Sequence, residues 1–196
     1  EFPQAALHVI AADVTEHEQR LEIFDFIIDL GLELSLLVNN VGTNLRKATL
    51  DYSDAEVRSL IDTNLVSAFE MCRLAHVHVA QQAHAAIVNV GSVSGSISVR
   101  TGSPYGMTKA ALRQLTRNLS CEWAEDGIRV NAVAPWYIRT QRSEPVLADE
   151  DYLEEVLELQ AGDRRAVMDV TQVLDPRVAR RHAQHLVVAA GLVGHA

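Results

Sequence analysis

Positive charge is scarce in this sequence. Its 17 lysine and arginine residues stand against 26 aspartate and glutamate residues, which gives a formal net charge of −9. The only lysines are Lys47 and Lys109. Because binding to nucleic-acid phosphates requires clustered cations, this balance argues against a nucleic-acid partner. A small anionic ligand stays compatible with it, since a local site can be positive on an acidic protein.

Cysteine is rare as well, and its two copies, Cys72 and Cys121, both fall in helical patterns. Two isolated cysteines provide neither zinc-site spacing nor a disulfide framework, so we expect a reducing, cytoplasmic compartment. No apolar run approaches the ~20 residues that cross a bilayer, and no membrane partner is expected. His76 and His78 are two apart on a predicted helix and point apart, and His84 has no obvious partner, so we expect no metal site.

Apolar runs alternate with amphipathic helical stretches over most of the chain. The predicted strands are Leu7 to Ala12, Leu34 to Val38, Ala85 to Val90 and Arg129 to Ala134. The predicted helices are Glu16 to Leu30, a long one that opens with the capping box Ser53/Glu56, and about Tyr105 to Asp126. Nearly continuous apolar strands that alternate with helices are typical of a parallel sheet covered on both faces. The pattern predicts a doubly wound α/β fold.

The composition changes near Gln160. Arginines become frequent between residues 163 and 182, and the final apolar run, Leu186 to Val193, is broken by Gly191 and has no evident strand partner. We therefore expect a core over residues 1–158 and a divergent tail over residues 159–196.

Tyr105 and Lys109 are four residues apart at the start of a predicted helix, so they share one face. A phenol with a pKa of about 10 is a poor base at neutral pH, and lowering it by about three units requires roughly 4 kcal/mol of preferential stabilisation of the phenolate. A nearby ammonium supplies part of that stabilisation. Such pairs also occur by chance on solvated helices, so the pair alone is a weak signal.

Two further polar residues stand in informative places. Ser92 follows a predicted strand, where loops of a parallel sheet form the ligand crevice, and its hydroxyl can donate to a substrate carbonyl oxygen. The alternative is a small-residue turn of structural use only. Asn64 falls on the apolar stripe of its helix, so its amide needs partners. Either it only ties backbone groups together, or it holds a water that connects the site to solvent.

Four motifs in register carry a family resemblance. They are Asn39-Asn40-Val41-Gly42, Asn64, Gly91-Ser92 with Tyr105-x-x-x-Lys109, and Ile128-Arg129-Val130-Asn131-x-Val133-x-Pro135. In order and spacing this set resembles the classical short-chain dehydrogenase/reductases. The stretches Leu37 to Lys47 and Glu122 to Leu147 are most similar to the tropinone reductase-like branch of that family.

The resemblance implies a Rossmann-like fold and a division of labour among four catalytic residues. Tyr105 would exchange a proton with the substrate oxygen, which Ser92 would polarise. Lys109 would hold the nicotinamide ribose and lower the pKa of Tyr105. Asn64 would continue a proton relay through water.

The resemblance also implies a nucleotide site, with NADP(H) as the expected cofactor and NAD(H) as the alternative. Asp13 resembles the residue that contacts the adenine, and Asn40 and Gly42 resemble residues of the cofactor groove. In the segment after the last predicted strand, Pro135, Ile138 and Thr140 would contact the cofactor, and Trp136 would form part of the substrate wall. The implied partners are a small carbonyl or alcohol substrate and further copies of the chain, in a homodimer or homotetramer formed by the helices Ser53 to Ala80 and Tyr105 to Asp126.

The sequence departs from the family at both ends. A Thr-Gly-x-x-x-Gly-x-Gly turn should precede these motifs, yet no glycine occurs before Gly31, and the family's last strand is not recognisable after Glu158. Because that turn holds the cofactor's pyrophosphate, we expect an incomplete fold with weakened dinucleotide binding. Two hypotheses follow: a reductase of a cyclic or hydrophobic ketone, and a catalytically silent fragment that serves in oligomerisation or structure.

Overall fold

The computed structural model describes residues 7–80, 82, 84–138, 143–162 and 186–190. Its α-helices are α1 (His17–Asp29), α2 (Asp54–Ile61), α3 (Ser67–Val79), α4 (Ser103–Glu122), α5 (Glu144–Leu147) and α6 (Glu150–Gly162). Its strands are β1 (Leu34–Asn39), β2 (Ala86–Val90), β3 (Arg129–Val133) and β4 (Leu186–Ala190). Strands that alternate with helices confirm the α/β class that the hydrophobic pattern predicts.

The described strands form one parallel sheet in the order β3-β2-β1-β4. In its register Asn39 lies opposite Asn89 on one side and Ala190 on the other. The expectation that the final apolar run has no partner is therefore wrong for residues 186–190. Residues 186–190 pair with β1 along an edge whose N–H and C=O groups would otherwise lack strand partners. An unpaired strand edge favours pairing with a further strand because its backbone groups are free to hydrogen-bond.

The predicted strand from Leu7 to Ala12 does not form. Leu7 and Val9 are 88% and 79% exposed, and of this run only Ala12 packs against the core. Both edges of β1 are already occupied, by β2 and β4, which leaves residues 7–12 no place beside that strand. An apolar run without a paired neighbouring strand gains no ladder hydrogen bonds, so it does not form a strand.

The predicted helices are confirmed, with shifted ends. Ser53 and Glu56 form the predicted capping box at the start of α2. A π-helical turn, Asp62–Val66, joins α2 to α3 without a break. The helix α4 begins at Ser103, earlier than expected, because Pro104 is well suited to a first helical turn. It ends at Glu122 rather than at Asp126.

The core lies between the sheet and helices α1, α3 and α4. It is one cluster of buried apolar residues, in which Leu37, Ala75 and Ile87 are fully buried. Trp123 packs against this cluster, as its place on a helical stripe predicts. At the carboxyl ends of the strands the interior turns polar: Asn39 Nδ2 donates to Asn89 Oδ1 at 2.9 Å, and Asn89 Nδ2 donates to Thr116 Oγ1 at 2.9 Å. The core thus fixes the sheet edge where the predicted site residues lie.

None of the helices in the described part of the chain is long and apolar enough to cross a membrane. Among the same described residues, no three His, Cys, Asp or Glu side chains are grouped so that they could hold a metal ion. His76 is paired with Asp126 at 2.9 Å, and the ring of His78 stacks on that of Phe24.

Candidate active site

A cavity of about 550 Å³ opens at the carboxyl ends of β1, β2 and β3, and we call it the site cavity. The sequence-predicted residues that line it are Asn40, Gly42, Ser92, Tyr105, Lys109, Pro135, Trp136 and Ile138. Asn64 and Asp13 are not among its lining residues. Thr140 lies outside the described residues.

Ser92 is held in a tight turn. It caps a short 3₁₀ helix, Val93–Gly95, and its Oγ accepts the N–H of Ser94 at 3.2 Å. The hydroxyls of Ser92 and Ser94 lie 2.7 Å apart. A Cβ added to Gly95 would come within 2.9 Å of the backbone of Lys109 and Ala110. A glycine at this position therefore lets the turn pack directly on α4.

Tyr105 and Lys109 lie on the first turns of α4. The ammonium of Lys109 is 5.7 Å from the centroid of the Tyr105 ring, which is a cation–π distance. Lys109 Nζ also donates to the carbonyl of Val90, at the end of β2, at 2.8 Å. The residue is 4% exposed, and this burial lowers the pKa of Lys109 to about 8. The cation is thus fixed between a strand end and the phenol.

Asn64 lies behind the site cavity and is fully buried. Its Oδ1 accepts the N–H of Thr43 at 2.7 Å, and its Nδ2 donates to the Thr43 carbonyl at 2.9 Å and to Thr108 Oγ1 at 3.3 Å. Both amide donors and one acceptor position are therefore used within the protein. These contacts are the kind expected of an amide that ties neighbouring groups together, and a water relay through Asn64 stays a prediction. The amide joins the loop after β1 to α4.

Gly42 permits a close approach in the same loop. A Cβ there would lie 3.3 Å from Lys109 Nζ and 3.4 Å from Asn64 Oδ1. The contact with Lys109 Nζ is tighter than ordinary packing, so a side chain at position 42 would press on the ammonium. The loop that carries Asn40 and Gly42 is therefore fitted against the buried lysine.

The segment after β3 forms the opposite wall. Pro135 accepts the N–H of Val93 at 3.3 Å, which ties this wall to the Ser92 turn. The rings of Trp136 and Tyr137 meet edge to face at 5.8 Å, and Ile138 is 48% exposed. This wall is largely apolar, and apolar walls with few polar groups are typical of small-molecule pockets.

Asp13 is placed differently from the expectation of a strand end. It precedes α1 in a turn, where its Oδ1 accepts the N–H and the hydroxyl of Thr15 at 2.8 and 2.7 Å. The carboxylate of Asp13 is thus used in a local turn, because the strand expected before it does not form.

Several residues of the site were not predicted from the sequence. Two of them, Thr43 and Thr108, are hydrogen-bond partners of Asn64. The sequence signal for Thr108 is only its place three residues after Tyr105 on the same helix. Arg46 and Tyr137 both line the site cavity, and their contact at 3.3 Å joins residues 91 apart in the chain. No local pattern predicts a contact of that span. Tyr152 on α6 completes the group through Tyr137, with the two hydroxyls 2.5 Å apart.

Comparison with known proteins agrees with the fold and the motifs. Residues 1–151 match the family described as short chain dehydrogenase. The chain belongs to this family. Its relatives include plant tropinone reductase homologues, in agreement with the branch that its motifs resemble.

Two of these relatives come from Arabidopsis thaliana. A tropinone reductase homologue whose name places it in the chloroplast is 43% identical over 145 residues, covering 74% of this chain and 45% of the relative. Another tropinone reductase homologue is 48% identical over 125 residues, covering 64% of this chain and 47% of the relative. The chain therefore spans about half the length of these curated relatives.

Among solved structures, a gluconate 5-dehydrogenase from Burkholderia cenocepacia in complex with NADP and tartrate is similar. Its TM-score is 0.67 at 31% identity, covering 71% of this chain and 55% of that one. A protein described as a gluconate dehydrogenase from Agrobacterium tumefaciens gives a TM-score of 0.71 at 32% identity, covering 74% and 57% of the two chains. These neighbours agree with the Rossmann-like architecture.

Proposed function

We propose that this chain carries the catalytic part of an oxidoreductase that transfers hydride between NADP(H) and a ketone or secondary alcohol. The observation that carries the proposal is the convergence of Ser92, Tyr105 and Lys109 on one cavity at the carboxyl edge of a parallel sheet. This is where ligands of open α/β sheets bind. Family membership supports the same chemistry.

In this proposal Tyr105 is the general acid and base. For ketone reduction, its hydroxyl donates a proton to the substrate oxygen, and the reverse transfer accompanies alcohol oxidation. Ser92 donates a hydrogen bond to the same oxygen as negative charge develops on it. Lys109 stabilises the phenolate that is left on Tyr105, because a fixed cation favours the charged form of its neighbour.

The lining of the site cavity fits a nicotinamide dinucleotide. Lys109 supplies a cation to it, and no aspartate or glutamate lines it among the described residues. The lack of a side chain at Gly42 lets its loop pack closely against Lys109. When bound, the cofactor supplies or accepts the hydride. We propose that Lys109 holds its ribose and that the remaining contacts come from Asp13, Asn40, Gly42, Pro135, Ile138 and Thr140.

NADP(H) is the preferred cofactor in this proposal, with NAD(H) as the alternative. A structural neighbour at 31% identity is in complex with NADP, which supports the preference.

Trp136 forms part of the substrate wall in this proposal. Asn64 is a positioning residue, since its amide holds the loop after β1 against α4. Its part in a water relay stays a prediction from the family resemblance.

Direct titration tests cofactor binding. We expect the fluorescence of NADPH to change saturably as the protein is added, with tighter binding of NADPH than of NADH. Lys109 supplies a charge-assisted contact to the nicotinamide end of the cofactor. Lys109→Met should weaken binding, and Lys47→Met, which removes an exposed cation outside the cavity, should not. Absence of saturable binding in the millimolar range would favour the catalytically silent alternative.

Lys109 also gives the fold a distinctive pH dependence. The pKa of Lys109 is about 8 in the folded chain, whereas it is 10.5 when the side chain is not buried, as in the unfolded chain. The folded state therefore binds the proton more weakly than the unfolded state. Stability relative to Lys109→Met should therefore rise between pH 8 and pH 10.5, by up to about 3 kcal/mol. Urea unfolding of both variants across this range measures the difference. A difference that does not change with pH would contradict the assignment of a buried, charged lysine.

We propose that copies of the chain associate through α2, α3 and α4 as a homodimer or homotetramer. Phe69, Val77 and Met107 on these helices are 43%, 60% and 59% exposed, and exposed apolar groups favour association. Sedimentation at micromolar concentration measures the oligomeric state, and a monomer would contradict the proposal.

The cytoplasmic location and the division into a core over residues 1–158 and a tail over residues 159–196 stay predictions.

A further inference from the structure

Arg46 lines the site cavity, and within the described part of the chain it forms no ion pair with an acid. Arg46 Nη1 donates to the carbonyl of Arg100 at 3.1 Å and to the Tyr137 hydroxyl at 3.3 Å. Its guanidinium carbon lies 5.7 Å from the centroid of the Tyr137 ring. These partners are neutral, so they orient the guanidinium without compensating its charge.

The residue whose carbonyl holds Arg46 has an acid partner of its own. Glu155 on α6 forms an ion pair with the side chain of Arg100. Arg100 in turn lies over the ring of Tyr152 at 5.3 Å, which fixes the pair against α6. Glu155 therefore compensates Arg100 rather than Arg46. On a chain with a net charge of −9, a cavity lined by two cations and no carboxylate among its described residues is a local departure that favours an anionic ligand.

The two cations of the cavity have different surroundings. Lys109 is buried beside Tyr105 and bonded to the end of β2, which assigns it to the reacting centre. Arg46 is bonded to the loop before α4 and to the segment after β3, which also carries Trp136. Trp136 Nε1 and Asn44 Oδ1 are buried polar atoms of lining residues that have no hydrogen-bond partner in the described part of the chain. Unpaired polar atoms in such a lining mark a place where a polar ligand completes the hydrogen bonding.

We infer that Arg46 is a specificity-determining residue that selects carbonyl substrates bearing a carboxylate. The planar guanidinium presents several N–H donors in a fork that matches the two oxygens of a carboxylate. The contacts to Tyr137 and to the Arg100 carbonyl hold that fork in place before the substrate binds, which lowers the entropic cost of binding. The inference rests on the proposed function, because it takes the ligand of this cavity to be a ketone that reacts at Tyr105.

The test compares two ketones that differ in one charge, levulinate and its methyl ester. Calorimetric titration in the presence of NADP⁺ gives the dissociation constant of each for the wild-type chain and for three variants. The wild type should bind levulinate about tenfold more tightly than the ester, or better. Arg46→Met should lose this preference by weakening levulinate binding while leaving ester binding within about twofold. Arg46→Lys should keep part of the preference, because it retains the charge without the planar fork.

Lys47→Met is the matched control. Lys47 adjoins Arg46 in sequence, pairs with Glu56 and does not line the cavity, so its removal changes the net charge equally and should leave the preference unchanged. An Arg46→Met chain that still prefers levulinate, a wild type that binds the ester as tightly as the acid, or a wild type that binds neither would each overturn the inference. The proposed function fails separately: a chain that prefers levulinate through Arg46 but transfers no hydride contradicts the reaction and leaves the selectivity intact.

Discussion

Tyr105→Phe is expected to lower kcat/KM for ketone reduction by at least about a hundredfold, and by as much as about ten-thousandfold. The change removes one oxygen and with it the proton donor. The ring remains, so the cation–π contact with Lys109 at 5.7 Å and the packing of α4 should persist. The dissociation constant for NADPH should therefore stay within about twofold of the wild-type value. Steady-state assays that follow the absorbance of reduced nicotinamide, together with cofactor titration, separate the two effects.

Tyr52→Phe is the control for loss of a phenolic hydroxyl. Tyr52 donates to the carbonyl of Leu45 and is not among the residues that line the site cavity. Its replacement should remove one local hydrogen bond and leave turnover nearly unchanged. A Tyr105→Phe protein that keeps most of its kcat would remove Tyr105 from the mechanism.

Gly95→Ala should have the second large effect, through geometry. The new methyl group would lie 2.7 Å from the Lys109 carbonyl carbon and 2.8 Å from the Ala110 nitrogen, so the Ser92 turn and α4 must separate. Overpacking of this kind costs about 1–3 kcal/mol of unfolding free energy. Because Ser92 and Tyr105 belong to the two parts that separate, a displacement of about 1 Å should lower kcat/KM by about a hundredfold. Denaturant unfolding and steady-state kinetics measure the two losses.

Gly31→Ala provides the comparison for this variant. Gly31 has a φ of +65° with no heavy atom within 4 Å of the added Cβ, so the substitution strains the backbone without a clash. It should cost about 1 kcal/mol of stability and leave kcat/KM unchanged. Equal losses of activity in both variants would show that general destabilisation, rather than separation of the turn from α4, explains the Gly95 result.

The parts of this structure that follow from short-range pattern were predictable. The capping box at Ser53 and Glu56 needs only residues three apart, and it forms as expected. The same holds for Tyr105 and Lys109, whose spacing on one helix places both at one cavity. Polar residues directly after the apolar strands line one cavity, since parallel strands end at one edge of the sheet.

The parts that depend on distant pairing were not predictable. Leu7 to Ala12 and Leu186 to Ala190 are both apolar runs, yet only the second is a strand, because strand formation requires an available edge and not only an apolar run. The group formed by Arg46, Tyr137 and Tyr152 joins three separate segments, so it emerges only once the loops after β1 and β3 meet α6. The π-helical turn that carries Asn64 likewise leaves no mark in hydrophobic periodicity.

The most direct test of the central claim is transfer of a labelled hydride. The chain is incubated with cyclohexanone or with levulinate, in each case with NADPH that carries deuterium at the transferable position of the nicotinamide, and the products are examined by mass spectrometry. We predict an alcohol with deuterium on its carbinol carbon from the wild type, and little or none from Tyr105→Phe. Formation of no deuterated alcohol from either ketone by the wild type, or equal amounts from both proteins, would contradict a Tyr105-dependent hydride transfer in the site cavity.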